Sequence, residues 1–136
     1  MSDGIKGPSL VMEDEIKPRF TLGKWVSVDS ATKAGVAVWD GLTLVDTLRV
    51  YQTGGGALAE FGPWTVMSDF GTKRTVYDTQ WEAWSSIFGK NSEALVIETN
   101  YLSRNPKTLM VLSDVMGRTI GYAQASGVVL VHKVQA

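Results

Sequence analysis

The 136-residue chain balances 13 basic against 14 acidic residues, so its net charge is −1 and no global positive field draws it to nucleic acid. With no cysteine and a single histidine, His132, it excludes disulfides, thiolate metal sites, cysteine nucleophiles and histidine-rich zinc sites. A composition that is 44% hydrophobic and 20% charged is that of one globular domain able to bury a real core. No segment has the apolar length of a membrane span, and the N-terminus lacks an apolar signal region. The default expectation is therefore a cytoplasmic protein.

Residues 1–22 differ from the rest. Gly4, Gly7, Pro8 and Pro18 punctuate them, and Glu13, Asp14 and Glu15 form an acidic run. They read as a tail, solvated, packed on the domain or offered to a partner protein. The domain is expected over 23–136.

Trp25, Ser27 and Asp29 alternate with Val26 and Val28, the period of a strand. Ser30 to Gly35 is small and polar and reads as a turn, and Val36 to Trp39 resumes as a second strand. Asp29 thus stands at a strand end before a turn. It either caps that turn or serves as a functional carboxylate partnered by a cation. Asp40-Gly41 is a two-residue hairpin signal leading to a third strand from Leu42 to Tyr51. Gly54-Gly55-Gly56 open a stretch, running to about Thr72, that reads as a loop. No Gly-Lys-Ser/Thr follows the triplet and no helix clearly opens from it, which argues against a P-loop.

Thr75 to Phe88 is expected as a helix, with Tyr77, Trp81, Trp84 and Phe88 on one aromatic core face, ended by Gly89 and Asn91. Glu93 to Glu98 is a short apolar run ending in an acid, the pattern of a central buried strand. Pro106 suits the first turn of a second helix reaching Ala125, with Leu109, Leu112, Met116 and Ile120 inward. Ser113, Gly117, Gly121 and Ala125 form a stripe of small residues that suits close packing on the sheet or on a second copy. Close sheet packing is the expectation adopted. Gly127 caps this helix, and Val128 to Val134 is a last strand.

The expected fold class is α/β, with order β-β-β-α-β-α-β: three antiparallel strands leading into parallel strands, with helices packed on the sheet. If the first and fourth strands are neighbours, Asp29 and Glu98 converge at one edge. Converging carboxylates without histidine call for a hard divalent ion such as Mg²⁺, and such ions serve phosphoryl transfer.

The segments Val26-Ser-Val-Asp29-Ser-Ala-Thr32-Lys-Ala-Gly35-Val-Ala-Val-Trp39, and Leu95-Val-Ile-Glu98 followed by Arg104-Asn-Pro-Lys-Thr-Leu-Met, carry a resemblance. The chain resembles the RuvC family of Holliday-junction resolvases, within the RNase H-like superfamily, and especially its phage-borne members, over Gly23 to Val134. Actin-like ATPases also place an acid, a threonine and a glycine after a first strand, but need a second large lobe that this chain is too short to supply.

The resemblance implies an RNase H-like mixed sheet and a Mg²⁺- or Mn²⁺-dependent endonuclease acting on branched DNA as a homodimer, in a bacterial or phage-infected cell. It implies Asp29 and Glu98 as catalytic metal ligands, and places the helix beginning at Pro106 near the dimer interface. Lys33, Lys73, Arg74, Arg104, Lys107 and Arg118 are the candidate phosphate contacts. The family also carries further aspartates on a helix after the last strand, whereas no acid lies beyond Asp114 here. Two expectations follow. The chain is a truncated nuclease with weak or no cleavage, or a shortened non-catalytic module that binds DNA or protein.

Overall fold

The computed structural model describes residues 23–53, 59–99 and 105–135. Strands β1 (Lys24–Asp29), β2 (Ala34–Asp40), β3 (Thr43–Gln52), β4 (Phe61–Ser68) and β5 (Lys73–Thr79) precede helix α1 (Gln80–Asn91). Strand β6 (Ala94–Thr99), helix α2 (Pro106–Ala125) and strand β7 (Leu130–Gln135) follow. The seven strands form one mixed sheet in the order β5-β4-β3-β2-β1-β6-β7. An antiparallel meander supplies one side, and β6 and β7 add parallel to β1. The expected α/β class with antiparallel strands leading into parallel ones stands, enlarged from five strands to seven.

Two strands go beyond the expected five. The presumed loop before Thr72 contains β4, hidden by Gly62-Pro63 near its start. The structure places a register irregularity between Phe61 and Trp64, and Gly62 takes φ +112 there. A bulge is where a sheet tolerates proline, which has no N–H to give the ladder. Pro63 still accepts a hydrogen bond at its carbonyl from Thr53 N, 2.9 Å away.

The second correction is at the helix start. Thr75 to Thr79 is strand, and α1 begins at Gln80. Thr79 caps it, its hydroxyl accepting from Glu82 N at 3.1 Å and donating to Glu82 Oε1 at 3.1 Å. Thr79 is thus the N-cap, with the Glu82 side chain tied back to its hydroxyl. Tyr77 therefore belongs to β5, Trp84 and Phe88 are buried and stacked, and Trp81 remains partly exposed.

The two helices among the described residues cover the same sheet face. Val26, Val28, Val36, Val38, Val50, Trp64, Val66, Leu95 and Ile97 are the inward set of the strands, and Ala83, Trp84, Ile87, Phe88 and Ala123 meet them from the helices. Tyr122 donates to Gln80 Oε1 at 3.0 Å, tying α2 to α1. The fully buried face of α2 is Val115, Thr119 and Ala123, not the expected Leu109-Leu112-Met116-Ile120 line, whose members are half-buried. Gly117 and Gly121 are exposed, and a Cβ at either would meet nothing within 4 Å. The small stripe thus does not pack on the sheet. Gly127, at φ +104, does follow the helix end as expected.

The opposite sheet face carries no helix among the described residues. At one end of β1 and β2, Trp25 and Trp39 stack across the strands with centroids 5.1 Å apart. Trp39 Nε1 donates to Ser27 Oγ at 3.1 Å, and Trp25 Nε1 to Gly41 O at 2.8 Å. These bonds satisfy the indole N–H groups while the rings pave the open face.

Candidate functional site: a carboxylate pair on the open sheet face

Strand alternation decides what the open face displays. Because Val26 and Val28 point to the helices, Ser27 and Asp29 point away, and the same holds for Val96 and Glu98 beside Leu95 and Ile97. Asp29 and Glu98 are register partners in the parallel pair β1–β6. Their backbones therefore lie about 4.8 Å apart, one strand spacing, with both carboxylates on one face. Asp29 is exposed and Glu98 half-buried. Neither carboxylate makes a hydrogen bond or ion pair with another described residue. The expected convergence of Asp29 and Glu98 is what the sheet delivers.

The pair lines a cleft of about 480 Å³ together with Ser27, Gly35, Thr47, Arg49, Asp69 and Val134. Across the sheet, one row runs from Val134 through Glu98, Asp29, Gly35, Arg49 and Met67 to Arg74. Acids occupy one side of the row and arginines the other, with a glycine between. Among the described residues no third histidine or acid joins the pair to form a metal-binding group. Two adjacent carboxylates with free oxygens fit a hard divalent ion such as Mg²⁺ or Mn²⁺, which completes its shell with water or phosphate oxygens.

The candidate cations separate by place. Lys33, in the β1–β2 turn, lies with Nζ 4.8 Å from the Tyr51 ring centroid, a cation–π contact on the acids' side of the sheet. Arg74 shares their row, four strands from Asp29. Lys73 lines a different cleft with Asp46, Ser86 and Ile87 on the helix side, so the fold separates it from the acids. Lys107 is exposed in the first turn of α2, also on the helix side, and Asn105 Oδ1 caps that turn by accepting from its N–H at 3.0 Å. Arg118 pairs with Asp114 at 3.8 Å along α2. Arg104 and residues 1–22 lie outside the described residues. One cation escapes sequence reading. Arg49 alternates with buried Val50 and half-buried Leu48, a pattern that marks it as outward-facing, but its place beside Asp29 depends on a register that no local pattern encodes.

No protein-family model matches the sequence, and no curated protein matches it. Among solved structures the chain is similar to Thermus thermophilus RuvC in complex with Holliday junction substrate, with TM-score 0.42 and 13% identity over 82% of this chain and 66% of that one. It is also similar to a second Thermus thermophilus RuvC structure, with TM-score 0.39 and 16% identity over 81% of this chain and 63% of that one. The chain thus spans just under two thirds of the length of those proteins. No helix among the described residues is long and apolar enough to cross a membrane.

Proposed function

We propose that this chain is a Mg²⁺- or Mn²⁺-dependent, structure-selective DNA endonuclease of the RuvC-like, RNase H-like type, acting on branched DNA as a homodimer. The observation that carries the reading is the in-register pairing of Asp29 with Glu98 on the sheet face that no described helix covers. A divalent ion held there would supply Lewis-acid polarisation of a phosphodiester and a more acidic attacking water. The chain's own residues do the placing. Asp29 and Glu98 present adjacent oxygens from rigid neighbouring strands, which fixes their separation better than loop residues could. Gly35 leaves space next to Asp29, and the open face admits a bulky branched duplex that an enclosed pocket would refuse. In the reaction, water adds to phosphorus in line as the opposite P–O ester bond breaks.

A second reading has its own support. With two acids and no third ligand close enough to join them among the described residues, the site is short of ligands for a two-metal centre. The alternative is a non-catalytic RNase H-like module that binds DNA or protein.

A labelled four-way junction incubated with Mg²⁺ separates the two. Metal-dependent cutting that disappears in both Asp29→Asn and Glu98→Gln supports the nuclease. Full cutting by both variants removes these residues from the site. Junction or protein binding with no metal-dependent cutting supports the binding module.

A further inference from the structure

We infer that Arg49 is a phosphate-binding residue of the carboxylate cleft, gripping the nucleic-acid backbone across the gap that Gly35 leaves beside Asp29. The inference rests on the DNA-directed reading of the same site and names how the substrate strand is held there. Asp29, Gly35 and Arg49 are consecutive register partners across β1, β2 and β3. At one strand spacing each, the Arg49 backbone stands about 10 Å from that of Asp29. The position between them has no side chain. A Cβ at Gly35 would lie 3.9 Å from Asp29 Cβ, so even a small side chain there would begin to fill the slot against the acid.

The guanidinium is oriented without being saturated. Asp69 is held by Thr47, whose hydroxyl donates to Asp69 Oδ2 at 2.7 Å and whose carbonyl accepts from Asp69 N at 2.9 Å. From that position Asp69 Oδ1 meets Arg49 Nη2 at 3.7 Å. A charge-assisted bond closes at about 2.7–2.9 Å, so this contact aims the fork and leaves most of its five donors unused. The Arg49 side chain is 55% exposed and lines the same cleft as both acids.

A second cation extends the grip. Tyr51 is two residues further along β3 on the same face, about 7 Å away, and carries Lys33 over its ring. Arg49 and Lys33 thus run alongside the acids in a line suited to successive phosphates of one strand. The arrangement explains how a chain of net charge −1 can hold a polyanion: the positive charge is local.

The test uses the full chain and a fluorescent four-way junction, with affinity read by anisotropy at several salt concentrations and Mn²⁺ binding read separately. Arg49→Gln is expected to weaken junction binding about tenfold and to lower the salt slope by about 1, with Mn²⁺ affinity unchanged. Arg49→Lys should recover part of the loss. Gly35→Val, on a strand and at ordinary contact distance, should retain the thermal transition while weakening binding by blocking the slot. Wild-type binding that Arg49→Gln leaves unchanged in affinity and slope overturns the role of Arg49 and leaves the nuclease reading standing. A wild-type chain that binds neither branched nor single-stranded DNA overturns both.

Discussion

Asp29 and Glu98 are register partners across the parallel pair β1–β6, two like charges one strand spacing apart on the sheet face that no described helix covers. Like charges directly opposite one another in a sheet destabilise it. The pair is therefore a small cost that a cation bound as proposed would convert into a gain. Thermal denaturation in chelator and in millimolar Mn²⁺ checks this. The wild-type midpoint should rise with Mn²⁺, as ligand binding to the folded state requires. Asp29→Asn and Glu98→Gln should match or exceed wild-type stability in chelator and lose the Mn²⁺ response. Variants that keep the full response would place the ion elsewhere.

The Thr79 cap at the start of α1 is the next point at which sequence and structure meet measurably. Thr79→Ala removes the acceptor for Glu82 N and should cost about 1 kcal/mol, seen as a lower urea midpoint with an unchanged slope. Phe88→Ala, at a position 1% exposed, should cost about 3–5 kcal/mol by the same measurement. Equal losses for the two variants would contradict the packing described for α1.

How much of this is visible in the residues follows from which constraints are local. The alternation of Val26 and Val28 with Ser27 and Asp29 is local, and it locates β1 and its terminal acid correctly. Pro106 and Asn105 likewise mark the start of α2. Tyr77 misleads because its four-residue spacing to Trp81 imitates a helix face, while Thr79 with Glu82 three residues on is the better local signal. Phe61 to Ser68 misleads because Gly62-Pro63 normally ends strands, and only pairing with β3 and β5 shows them to sit at an irregularity. The site divides in the same way. Asp29 and Glu98 can be nominated from strand ends alone. Arg49 cannot, because its nearness to Asp29 arises through Gly35 on an intervening strand.

Gly117 and Gly121 offer a prediction about α2. Both lie in the helix, exposed, with nothing within 4 Å of the place a methyl group would take, so alanine meets no obstacle in the monomer. Each Gly→Ala change should stabilise the chain by about 0.5–1 kcal/mol through helix propensity and a less flexible unfolded state. Sedimentation at matched concentration distinguishes the roles of the stripe. A stabilised chain with unaltered mass leaves it as bare surface, whereas loss of a dimer in the alanine variants makes it the seam between copies.

Tyr122 sets the behaviour at alkaline pH. Burial pushes its hydroxyl pKa above the ordinary value of 10.0, with the nearby Arg118 side chain opposing the shift. The folded chain therefore keeps this proton at a pH where the unfolded chain has released it. Between the unfolded and folded pKa values the unfolded state binds fewer protons, so stability falls as pH rises. The contribution is complete below about pH 10 and is lost as pH climbs through the folded value. Tyr122→Phe removes the titrating group and the bond to Gln80, whose side chain is 2% exposed. At pH 7 the variant should be less stable by about 0.5–1.5 kcal/mol, the net worth of one hydrogen bond. Above pH 10 that deficit should narrow, because the wild-type chain then gives up its advantage and the phenylalanine variant has none to lose. Urea midpoints for the two chains at pH 7, 9, 10 and 11 measure the effect, and a deficit that stays constant across that series would show that Tyr122 titrates alike in both states.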